Sequence, residues 1–142
     1  MIRLNTTFEY PNGATYTGQA IGTKRDGKGV YIHNGITLSG DWENDFLLHG
    51  KMECTAFTYE GEFSQNMRHG KGVEVTRDGN RYEGYFANGK KHGKMKITLA
   101  NGATIDCEFS HGVGVGDGVM TMTDGEKVPV HFKDGNLYFT KD

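Results

Sequence analysis

The sequence is poor in most of the features that commonly betray a function. Proline is nearly absent, with 2 residues in 142, which excludes collagen-like and proline-rich linker architectures. Cysteine is scarce too. Cys54 and Cys107 stand far apart with no CxxC; they read as reduced thiols of a cytoplasmic protein, and the spacing leaves a single disulfide open. No apolar run approaches the ~18 residues a membrane span requires. The opening MIRLNTTFEY has no apolar stretch of signal-peptide length. Neither charge sign dominates: the net charge is −2, which gives no support for a nucleic-acid partner. Hydrophobic residues make up only 35%, too little for a large two-layer core. No segment carries a helical period.

Glycine is what the chain has in excess, 22 of 142 residues, about twice the usual share of ~7%. Aromatics at 11% argue against disorder. The glycines are periodic. Anchors at Tyr16, Leu38, Tyr59, Tyr82, Ile105 and Val128 are separated by 22, 21, 23, 23 and 23 residues. Two residues on stand Gly18, Gly40, Gly61, Gly84, then Cys107 and Val130; four residues on stand Ala20, Trp42, Phe63, Phe86, Phe109 and Phe132. GKG (27–29), GKM (50–52), GKG (70–72), GKM (93–95) and GDG (116–118) follow each of the first five anchors. A fixed period decides architecture before any other signal. One domain over 1–142 is expected, with repeats near 16–37, 38–58, 59–81, 82–104 and 105–127 and a half-repeat at 128–140.

Each unit reads as a β-hairpin. In YEGEF (59–63) alternation puts Tyr59, Gly61 and Phe63 on one face and the glutamates on the other. Nine Asn-Gly or Asp-Gly dipeptides occur, as in YPNGA (10–14), HNGI (33–36), RDGN (77–80), ANGA (100–103) and TDGE (123–126), and such pairs favour the positive φ of tight turns. The fold expected is therefore all-β: a single-layer antiparallel meander of about five hairpins and a closing half-unit. The second unit lacks an Asn/Asp-Gly turn, and a tighter turn or altered twist is expected near 55–58.

Candidate chemistry is thin. His49, His69, His92 and His111 recur along the array, but neighbours one unit apart lie about two strand spacings of ~4.8 Å from each other, too far to share a metal bound at ~2.1 Å. Turn-stabilising hydrogen bonds suit them better, and no metal site or cofactor is expected. The glycine clusters, GVGVGDG (112–118) included, lack the following helix a phosphate loop needs. No nucleophile–base arrangement appears, and Glu60, Glu62 and Glu83 fall in the outward phase. The chain reads as a non-enzyme with no small-molecule substrate.

Residues 59–84, YEGEFSQNMRHGKGVEVTRDGNRYEG, closely resemble the MORN (membrane occupation and recognition nexus) repeat: Tyr-x-Gly, an aromatic two further on, His-Gly-x-Gly, and a turn glycine before the next Tyr-x-Gly. The resemblance spans roughly 8–135 and weakens at Ala20 and at Ile105 and Cys107. It implies a twisted single-sheet solenoid with an elongated groove, and an interaction module of cytoskeletal, ciliary or membrane-associated assemblies.

Two surfaces compete for the interaction. One is an aromatic groove, with Tyr16, Tyr31, Trp42, Tyr59, Phe63, Tyr82, Phe86 and Phe109 joined by Met52, Met95 and Met120. A single sheet has no second layer, so part of this stripe is expected to stay exposed and accept a partner's helix or extended segment. The other is a basic patch, Arg68, Lys71, Lys90, Lys91, Lys94 and Lys96, suited to an anionic phospholipid surface or an acidic tail. Unpaired end strands also admit a homodimer by edge or end contact, with MIRLNTTF and NLYFTKD as edge caps.

Overall fold

The computed structural model describes residues 2–140, and among these every regular element is a strand. The strands are β1 (Leu4–Glu9), β2 (Thr15–Ile21), β3 (Lys24–His33), β4 (Ile36–Glu43), β5 (Phe46–Glu53), β6 (Phe57–Ser64), β7 (Met67–Thr76), β8 (Arg81–Ala87), β9 (Lys90–Thr98), β10 (Thr104–Ser110), β11 (Val113–Thr121), β12 (Lys127–Lys133) and β13 (Asn136–Phe139). They form one open 13-stranded antiparallel sheet in chain order. The expected hairpin meander is thus present, and β1 and β13 are its edges.

The turns follow their sequence chemistry. Between units, an Asn or Asp side chain accepts the N–H two residues on: Asn12 from Ala14 at 3.0 Å, Asn101 from Ala103 at 3.0 Å and Asp124 from Glu126 at 2.9 Å. Within units the link is two residues. In the first unit only Gly22 (φ 60°) is positive, whereas at Asn88 (φ 51°) and Gly89 (φ 82°) both are, a form that matches strand twist. Gln65–Asn66 and His111–Gly112 adopt the same conformation, although Gln and His are not turn residues in the sequence reading. The link from β5 to β6 is short, closed by Cys54 N–H donating to the Phe57 carbonyl at 3.0 Å.

The glycine period has two structural uses. Gly18, Gly29, Gly40, Gly50, Gly61, Gly72 and Gly84 are cross-strand partners in one unbroken row. A second set, which includes Gly70 and Gly93 at φ near +90°, lies in the bulges that interrupt the β2–β3, β6–β7 and β8–β9 hairpins. Gly50 belongs to the row and not to the bulges, so GKM (50–52) is not the counterpart of GKG (27–29). The bulge between β4 and β5 has one residue, Leu48, where β3 has three. That accounts for the shorter second unit.

The row of glycines explains how one layer holds a core. Tyr16 lies flat on Gly29 and Tyr59 on Gly72, where any Cβ would overlap the ring. Their hydroxyls reach past the glycine and donate to Gln19 O at 2.6 Å and Glu62 O at 2.8 Å. Strands two apart in a flat sheet would be separated by roughly 9.6 Å. Yet Tyr59 of β6 and Phe86 of β8 have ring centroids 4.9 Å apart, and Tyr16 of β2 and Trp42 of β4 are at 5.7 Å. The side chains lean along the array and cover one another. Tyr16 and Tyr59 are 0% exposed without a second layer.

Candidate functional site

Strand alternation sorts the expected site residues onto two faces. On the aromatic face Tyr16, Trp42, Tyr59, Phe63, Phe86, Met95 and Met120 are buried, while Tyr31, Met52, Tyr82 and Phe109 are half-buried. Part of the stripe was expected to stay exposed, and the exposed part is confined to these four half-buried residues. The column is largely the core itself, and only the half-buried residues offer contact area. Met95 also departs from its assigned role: it occupies the glycine row, between Gly84 and Cys107.

The basic patch does not form one surface. Arg68 and Lys91 pair with Phe63 and Phe86 on the aromatic face. Lys71, Lys90, Lys94 and Lys96 point to the opposite face and are exposed. There Lys96 lies between Glu83 and Asp106, and Lys94 stands opposite Glu108. The lysine run is thus an interleaved charge ladder.

The aromatic face carries its own electrostatics, which the sequence reading missed. The Arg25 guanidinium sits 4.8 Å above the Tyr31 ring centroid and 4.9 Å above Trp42, and its Nη2 donates to Asp45 O at 3.0 Å. Arg68 lies 4.5 Å over Phe57 and 5.2 Å over Phe86, and its Nη2 donates to Gly89 O at 2.6 Å. Between Arg68 and Lys91 is Glu74, a carboxylate only 3% exposed, paired with Arg68 Nη1 and, at 2.7 Å, with Lys91 Nζ. Glu74 falls in the same phase as Tyr31 and Met52, two residues after a row glycine, and counting from Gly72 would have found it. Arg25 is offset by the turn carboxylate Asp45, 3.5 Å from its Nε, and Arg68 and Lys91 share Glu74, so this face keeps one positive charge in excess in a chain of net −2.

Burial sets the titration of this face. It pushes the Tyr59 hydroxyl up to about 12 and raises Tyr16 and Tyr82 as well. The Cys107 thiol, buried against Met95, is raised to about 11. Both cysteines are free.

The histidines are spread along the array. His49, His69 and His92 are exposed strand residues, and His111 lies in a turn at φ 49°. His49 is 3.0 Å from Asp41, and His92 Nδ1 accepts from His111 N–H at 3.3 Å. Of these four, His92 has the turn-stabilising role expected. Among the described residues no three His, Cys, Asp or Glu side chains converge at ligand distance, and no helix is long and apolar enough to cross a membrane.

No curated protein matches the chain significantly. The MORN repeat family model matches at residues 16–35, 59–81 and 82–104, which are the first, third and fourth units of the array. The second unit, with its short bulge, and the fifth, with Ile105 and Cys107 at the anchor positions, are the irregular ones. MORN repeats are interaction modules and are not typically enzymatic. With matching repeats at three positions in a continuous meander of hairpins, the chain carries MORN repeats.

Proposed function

We propose that the chain is a non-catalytic scaffold that binds a segment of a protein partner, helical or extended, on its aromatic face. Tyr31, Met52, Tyr82 and Phe109 form the accessible wall. The observation that carries this reading is the set of cations sunk among the aromatics. The side chains of Arg25, Arg68 and Lys91 are only 15%, 13% and 20% exposed. A flat membrane surface does not reach charges at that depth, whereas side chains from one segment do. An amphipathic segment with acidic residues fits both the apolar wall and the charge. Family resemblance extends the proposal to a cytoskeletal or ciliary assembly in the cytoplasm.

The test is retention of partners by the wild type against a Tyr82→Ala/Phe109→Ala variant, with Tyr85→Ala on the opposite face as control. Circular dichroism establishes that each variant is folded. Loss in the first variant alone is expected. Equal retention by all three would remove the reading, and salt-sensitive flotation with anionic vesicles would replace it by a peripheral membrane adaptor acting through Lys90, Lys94 and Lys96.

A further inference from the structure

One position on the aromatic face recurs five residues after Ala20, Trp42, Phe63 and Phe86, and it holds Arg25, Leu47, Arg68 and Lys91 in the first four units. Each is tied to the turn of the following hairpin. Asp45 N–H donates to Arg25 O at 3.0 Å, Gly89 N–H to Arg68 O at 3.0 Å and Gly112 N–H to Lys91 O at 2.8 Å, while Leu47 N–H donates to Asn66 Oδ1 at 2.8 Å. In the fifth unit the position is Gly114, which supplies no side chain. Among the described residues no such bond joins Gly135 to Gly114.

Both losses fall at one place, and a pocket of about 440 Å³ opens there. Tyr82, Ile97 and Leu99 line one side, Phe109, Phe132 and Leu137 the other, with Lys91 among the lining residues. Phe109 stays half-exposed, whereas Trp42, Phe63 and Phe86, its counterparts in earlier units, are buried. The volume falls within the range of roughly 300–1,000 Å³ typical of ligand sites.

The charge at this pocket is uneven. Glu74 is shared between Arg68 and Lys91, so the trio keeps one positive charge in excess. Arg68 has two partners and lies against three rings. The Lys91 ammonium has three donors. It meets Glu74 and lies 4.3 Å above Tyr82, which leaves it free to take a second acceptor from the pocket side.

We propose that this pocket is the anchor subsite of the docking face: it seats one large apolar side chain of a partner protein, and Lys91 pairs with an Asp or Glu carboxylate of the same segment. The inference rests on the docking reading above. It adds the chemistry of the segment and its place at the β8–β13 end of the sheet.

A library of random 12-residue peptides displayed on phage, selected on the full chain, tests this. Enriched peptides are synthesised and measured by fluorescence anisotropy against wild type, Lys91→Met, Leu137→Asp and Met52→Ala, each shown to be folded by circular dichroism. The expected result is a large apolar residue within four positions of an acid. Affinity then falls roughly tenfold in Lys91→Met, and changing the peptide's acid to its amide costs nothing further in that variant. Peptides that respond to Met52→Ala but not to Lys91→Met or Leu137→Asp would overturn the subsite and leave the docking face standing. Peptides insensitive to every one of these variants would overturn both. Lys91-dependent binding of phosphatidylserine vesicles with no peptide enriched would overturn the protein occupant.

Discussion

At the scale of single residues, the fold turns on what glycine leaves out. Gly72 is where the Tyr59 ring lies, and a Cβ there would overlap it. Gly72→Ala is expected to lower stability by about 1–3 kcal/mol, the usual range for overpacking, measured by urea denaturation. Tyr59 itself makes stability depend on alkali. Its folded value of about 12 lies above the ordinary value of 10.0, so the protonated ring favours the fold fully below pH 10. That contribution disappears as pH rises through about 12. Tyr59→Phe is expected to shrink the loss of stability between pH 10 and 12, read from melts across that range; an unchanged alkaline limb would contradict the burial argument. Tyr16, Tyr82 and Cys107 shift in the same direction, so the limb shrinks but does not vanish.

At the scale of elements, one buried carboxylate joins neighbouring hairpins. Glu74 on β7 holds Arg68 of its own strand and Lys91 of β9. Removing it strands two cations among aromatic rings. Glu74→Ala is expected to cost about 3–5 kcal/mol, the range for breaking a buried pair, and a thermal melt that barely moves would refute the assignment. The hairpins were legible because period and turn chemistry are local. Tyr-x-Gly fixed the strand phase, and Asn-Gly or Asp-Gly fixed most turns. The turns at Gln65–Asn66 and His111–Gly112 were not legible, because strand pairing on either side imposes positive φ on ordinary residues there. The phase error at GKM (50–52) has a similar origin, since one residue fewer in a bulge is invisible until register is known. How completely the aromatics are buried was not legible for a reason of geometry. Alternation tells which face a ring is on, but not that it leans over a glycine on the next strand. The lysine run was read as one patch because sequence neighbours alternate between faces.

At the scale of the whole molecule, each strand contacts its neighbours in one open array, so stability is close to a sum of local terms. Backbone protection in hydrogen exchange is expected to be greatest across β6–β8, where Tyr59, Phe63, Phe86 and Glu74 interlock, and to fade toward β1 and β13. Uniform protection along the sheet would mean that the array unfolds as one cooperative block.

The array's two faces separate the functional alternatives. One buries its aromatics and keeps Arg25, Arg68 and Lys91 among them; the other alternates exposed lysines with carboxylates. The central claim is that partners meet the first. Photo-crosslinking tests it most directly, with benzoylphenylalanine placed singly at Met52 or Tyr82 on the aromatic face and at Tyr85 or Val119 on the opposite one, in the cells that make the protein. The account predicts a crosslinked partner from positions 52 and 82 and none from 85 and 119. Crosslinks from 85 or 119 with none from 52 and 82 would contradict it.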